Sequence, residues 1–122
     1  MTYIDGFVAA VPVANKQAYL DHAQRMAAVF TGHGASRVVE TWGDDVPEGK
    51  LTSFTMAVKR EEDEHIVFSW IEWPSKQVRD EAWAKVMEDE RMRDSQMPFD
   101  GKRMIYGGFA MLMDEHASDR NA

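Results

Sequence analysis

The stretch His65-Ile66-Val67-Phe68-Ser69-Trp70-Ile71-Glu72-Trp73 decides the architecture. Rich in β-branched and aromatic residues and closed by Pro74, it reads as a strand. Successive side chains of a strand point to opposite faces, and here both sets are large. Ile66, Phe68 and Trp70 form one set, and Val67, Ile71 and Trp73 form the other. A strand apolar on both sides needs cover on both sides, so one layer of helices is not enough.

Working outward, Ser75 is a natural cap for a helix from Lys76 to about Asp89, with Val78, Ala82, Trp83, Val86 and Met87 along one side and a break near Glu90 to Ser95. Upstream, Arg60 to Glu64 reads as a solvated charged turn, Leu51 to Lys59 as a helical turn, and Asp44 to Lys50 as an exposed loop. Arg37 to Gly43 reads as a second strand. Before it, Asn15 is placed to cap a helix over Lys16 to Thr31, stopped by Gly32 and Gly34 and striped with Tyr19, Ala23, Met26, Ala27 and Phe30. The first strand spans Thr2 to Val11 and ends at Pro12. Beyond the loop Gln96 to Lys102, the last strand covers Arg103 to Met113. The expected organisation is one domain over residues 1–113 and a polar tail over 114–122.

The order βαββαβ predicts an α+β, ferredoxin-like antiparallel sheet with both helices on one face. The simplest cover for the other face is a second copy of the same sheet, which predicts a homodimer packed face to face. Composition narrows the function classes. The 122 residues carry 44% hydrophobic and 29% charged side chains, an ordinary globular balance. No cysteine is present, which removes disulfides, thiolate metal sites and cysteine nucleophiles. A net charge of −7 repels phosphate backbones and anionic lipid, so neither nucleic acid nor membrane is expected as a partner. The longest apolar run, Phe7 to Val13, falls far short of a membrane span and of a secretory signal, which points to a cytoplasmic protein.

Three passages carry a family resemblance: Tyr3-Ile-Asp-Gly-Phe-Val8, the run from Val67 to Trp83, and Met97-Pro-Phe-Asp-Gly-Lys-Arg-Met-Ile-Tyr-Gly-Gly-Phe109. Over nearly the whole chain except the tail, the sequence resembles the YbaA-like family of uncharacterised bacterial proteins. That resemblance implies a dimeric α+β barrel and no activity. More distantly the fold is similar to cofactor-independent monooxygenases, haem-degrading enzymes and small ligand binders, an analogy of fold alone.

Polar residues on strands and on apolar helix faces are the candidates for chemistry. Asp5, in the first strand, is either paired with Arg103 or Lys102 or free to act as a base. Arg79 falls inside the apolar arc of its helix, where it stacks on Trp83 and pairs with Glu72 or Glu90, or receives an anionic ligand. Tyr106 shares a strand face with Met104 and Gly108, and Gly107-Gly108 makes room for a ligand or marks a bulge. His22, His33, His65 and His116 lack the spacing of a metal site, and no phosphate-binding loop or nucleophile elbow is present, so no cofactor is expected. Three readings follow. The first is a small-molecule binder lined by Asp5, Trp70, Arg79, Trp83, Arg103 and Tyr106. The second is a cofactor-free oxygenase or isomerase with Asp5 as base and Tyr106 or Arg103 stabilising an enolate. The third is a dimer module without catalysis.

Overall fold

Alternating apolar residues draw out four strands in the computed structural model, which describes residues 1–93 and 97–117. They are β1 (Tyr3–Pro12), β2 (Arg37–Trp42), β3 (Glu64–Trp73) and β4 (Ile105–Ala110). The sheet order is β2-β3-β1-β4, and every neighbouring pair is antiparallel. Between the strands lie α1 (Lys16–Gly32), α2 (Phe54–Ala57), α3 (Lys76–Val86) and α4 (Glu90–Arg93). The protein is thus α+β, and among the described residues no helix is long and apolar enough to cross a membrane. Part of the expected break at Glu90 to Ser95, Gln96 of the next loop, and residues 118–122 of the tail lie outside the described residues.

Two helix starts follow their serines. Ser75 Oγ accepts the Val78 N–H at 3.2 Å and Ser53 Oγ accepts the Met56 N–H at 3.0 Å, caps that stabilise a helix by about 1 kcal/mol each. Asn15 corrects the expectation. Its side chain turns away from the helix and donates to the Pro98 carbonyl at 2.9 Å, while a 3-10 turn over Val13–Asn15 leads into α1. At the other end Gly34 takes φ +114, and a Cβ there would lie 2.9 Å from Val78 Cγ1. Glycine therefore lets the chain leave α1 directly against α3.

Odd-numbered residues of β1 and β3 face the helices. Met26, Val29 and Phe30 of α1 pack with Ile71 and Trp73 of β3 and with Ala82 and Val86 of α3. Trp73 has no exposed surface, a burial that contributes about 3 kcal/mol. Ala9, Val11, Tyr19, Ala23 and Val67 continue this layer toward the other end of the sheet.

The opposite face is only half covered. Val8, Ala10 and Ile66 pack under Val58 and Val46, both from the segment between β2 and β3. Phe68 and Phe109, on the same face, remain 44% and 61% exposed. The two-sided apolar strand therefore receives part of its second cover from its own chain.

Candidate functional site

Asp5 lies on the helix face of β1 and is 3% exposed. It does not pair with Arg103 or Lys102, as the sequence suggested. Instead Arg79 donates from Nη2 at 2.7 Å and Nε at 3.1 Å to Oδ1, while Trp73 Nε1 and Trp83 Nε1 donate to Oδ2 at 2.8 and 2.9 Å. Arg79 is thereby corrected too: its carboxylate is Asp5, with exposed Asp80 at 3.0 Å, and neither Glu72 nor Glu90. Its guanidinium lies over the Tyr3 ring, 5.2 Å from the centroid, rather than on Trp83. The hydrogen bonds that Arg79 donates to Asp5 hold its guanidinium well above the usual arginine range. A carboxylate offers about four lone-pair sites, and α3 and β3 fill those of Asp5. Such a group holds charge and fastens a helix to a sheet; it has no lone pair left for a substrate proton.

Gly108 belongs to this cluster. A Cβ there would sit 2.5 Å from Tyr3 Oη and 2.9 Å from Arg79 Nη2. The missing side chain makes room for the protein's own tyrosine and arginine. Gly107, on the other face, would place a Cβ 3.4 Å from the Phe109 ring, ordinary contact.

Arg103 sits elsewhere, at the end of a 3-10 turn before β4. It forks onto Glu64 at 2.8 and 2.7 Å and also donates to the Lys59 carbonyl and to Asp100. Glu64, expected in a solvated turn, is buried at the start of β3 and is held below the usual carboxylate range by the Arg103 hydrogen bonds. Tyr106 stacks on Phe7, centroids 6.5 Å apart, but is 74% exposed on the edge strand. The Trp70 ring turns to the half-covered face, near Phe68 and donating to Glu72 at 3.0 Å. The six candidates therefore do not converge: Asp5, Arg79 and Trp83 meet, and Arg103, Tyr106 and Trp70 stand apart.

A cavity of about 400 Å³ opens on the helix face, within the range of small-molecule sites. The sheet supplies its floor through Phe7, Val38 and Val67, α1 supplies Tyr19, Ala23 and Met26, and Trp83, Met97, Phe99 and Met104 complete the wall. The wall is mostly apolar, and its methionines are side chains that reshape around a guest. Of the expected lining residues, Trp83 borders it with its ring, Trp70 only by its place on β3, and Asp5, Arg79, Arg103 and Tyr106 do not.

Its polar end is a group that the sequence reading passed over. Tyr19 Oη donates to Glu40 Oε1 at 2.5 Å, and Ser69 adjoins both. Glu40 is exposed to solvent, with protein packed around part of its side chain. That enclosure raises its carboxyl above the usual range, against the pull of the Tyr19 and Ser69 hydrogen bonds. Burial, and then the Glu40 charge, push the Tyr19 phenol well above its ordinary value, so it stays a donor. His22, also in the wall, is pushed down by burial and by nearby Arg25, which favours the neutral ring. His33 pairs with Asp89 at 3.1 Å at the far end of α1. The signal for Glu40 was available: Val38, Glu40 and Trp42 share one phase of β2, so the carboxylate had to point where the helices pack.

Comparison with known proteins gives one consistent result. Residues 2–101 match the family model described as a protein of unknown function, DUF1428. The chain is 58% identical over 117 residues to the uncharacterized protein YbaA of Escherichia coli K12, covering 94% of this chain and 100% of that protein. The same values hold for the uncharacterized protein YbaA of Shigella flexneri.

Proposed function

The chain belongs to the DUF1428 family, whose description assigns no activity, and from that premise we propose that it is a small-molecule-binding protein whose ligand occupies the cavity between α1 and the sheet. The observation that carries this is one apolar cavity of about 400 Å³ with a polar group, Tyr19–Glu40–Ser69, at one end. Apolar walls supply affinity by burial, and a few placed polar atoms orient the guest. Asp5 and Arg79 act as the clamp that holds α3, and with it Trp83, in the cavity wall. An enzyme using Asp5 as base is disfavoured by the donors that saturate that carboxylate.

The working form is a homodimer, with the sheets of two chains packed face to face. The strand order and the placement of both long helices on one face support the ferredoxin-like βαββαβ reading and the dimeric barrel built from it. Phe68, Phe109 and Ile105 are the side chains such packing would bury.

Fluorescence titration with the neutral apolar dye N-phenylnaphthylamine tests the cavity. Saturable binding at one dye per chain is expected, and Ala27→Trp, on the cavity wall, should abolish it. Absence of binding, or equal binding by the folded Ala27→Trp variant, overturns the reading. Sedimentation at micromolar concentration tests the dimer, and a stable particle of single-chain mass rules it out.

A further inference from the structure

Resting on that reading of the cavity, we infer that its ligand is a hydrophobic amine: an apolar body with an ammonium group seated on Glu40. The charges around the cavity carry the argument. Among the described residues its wall holds one carboxylate, Glu40, and no lysine or arginine. Arg79 and Arg103, the two arginines among the expected lining residues, are committed to Asp5 and Glu64. His22, the other titratable nitrogen in the wall, is kept toward its neutral form. A carboxylate or phosphate guest would therefore meet Glu40 with no lysine or arginine among the described wall residues, Arg25 beside His22 being outside the wall. That arrangement favours binding less than a paired one.

Glu40 also has capacity to spare. A carboxylate accepts about four hydrogen bonds, and this chain brings it Tyr19 and Ser69 from within the cavity. The contrast with Asp5 is direct, since that carboxylate is filled from both sides. An ammonium offers donors and a charge, and its approach favours the ionised form of Glu40. The aromatic and thioether groups behind it, Phe7, Trp83, Phe99 and Met26, match an aryl or branched alkyl body. A net charge of −7 on the whole chain favours the approach of cations over that of anions.

The test displaces bound N-phenylnaphthylamine with matched guests: naphthylmethylamine, naphthylmethanol and naphthoate, which share a body and differ in head group. Naphthylmethylamine should bind roughly tenfold or more tightly than naphthoate, as a charge-assisted hydrogen bond implies. Glu40→Gln, on the exposed edge strand, should remove that advantage and change naphthylmethanol less than about twofold. Naphthoate binding as well as the amine in the unaltered chain overturns the amine assignment without recourse to any variant. An amine preference that survives Glu40→Gln overturns the role of Glu40. Failure of the dye itself to bind overturns the cavity reading beneath both.

Discussion

Replacing Asp5 with asparagine keeps the shape of the side chain and removes its charge. In the native protein the carboxylate takes Arg79 on Oδ1 and the indoles of Trp73 and Trp83 on Oδ2. An amide has one acceptor oxygen, and its NH₂ would face donors already in place. At least two of those hydrogen bonds are lost. Hydrogen bonds to a charged group contribute about 1.5–3 kcal/mol each, and Arg79, which keeps some solvent contact, recovers part of the loss through hydration. The expected cost is about 3 kcal/mol, which for a chain of this length lowers Tm by roughly 10 °C. Urea unfolding followed by tryptophan fluorescence at fixed protein concentration measures it. A double-mutant cycle with Arg79→Met should show a coupling of at least about 1 kcal/mol. Asp80→Asn, which removes the exposed partner of the same arginine, should leave the urea midpoint where it was. An Asp5→Asn protein within about 0.5 kcal/mol of the parent, or a cycle with no coupling, refutes the clamp.

The same cluster predicts a glycine contrast. Gly108→Ala drives a methyl into Tyr3 and Arg79 and should cost about 1–3 kcal/mol in urea unfolding, whereas Gly107→Ala, in ordinary contact with Phe109, should not lower stability measurably. Arg103 holds the Glu64 carboxyl below its ordinary 4.5. The stability this pair contributes is therefore complete above that value and is lost as pH falls through the lower folded value. Arg103→Met should flatten the acid side of the urea midpoint curve, and an unchanged slope would mean that the pair does not drive it. In the proposed dimer, Phe109→Asp places a charge on the packed face and should shift sedimentation from two chains to one. A variant that still sediments as two chains puts the contact elsewhere.

Local signals made most of the elements legible. The strand at His65 to Trp73 begins one residue earlier than read, and the serine-capped helix after it starts where expected. The helical turn expected over Leu51 to Lys59 is α2. The last strand is shorter than its composition predicts, for a reason outside that composition. Met111 to Met113 are apolar, but β1 begins at Tyr3, opposite Ala110, and leaves them no partner strand. Asn15 has the chemistry of a cap, yet a carbonyl 83 residues away takes its side chain. Glu64 looked solvated among its acidic neighbours because its partner, Arg103, lies 39 residues further on.

The two carboxylates show why the site was less legible than the fold. Asp5 drew attention as an acid inside a strand, and Glu40 is an acid inside a strand as well. What separates them is the number of donors each meets, and those donors arrive through the packing of distant segments. Trp73, Trp83 and Arg79 lie 68 to 78 residues from Asp5 and converge because β3 pairs with β1 and α3 returns over that pair. Glu40 sits on β2 at the sheet edge, where α1 reaches it through the Tyr19 hydroxyl. A central strand is enclosed from both sides and its carboxylate must be neutralised by the protein. An edge strand beside a cavity can leave a carboxylate partly unsatisfied, with water or a guest completing it. Burial thus gives Asp5 an architectural role, and incomplete burial leaves Glu40 free for the binding role proposed for it. That assignment follows from the strand order β2-β3-β1-β4, which residue type alone does not reveal.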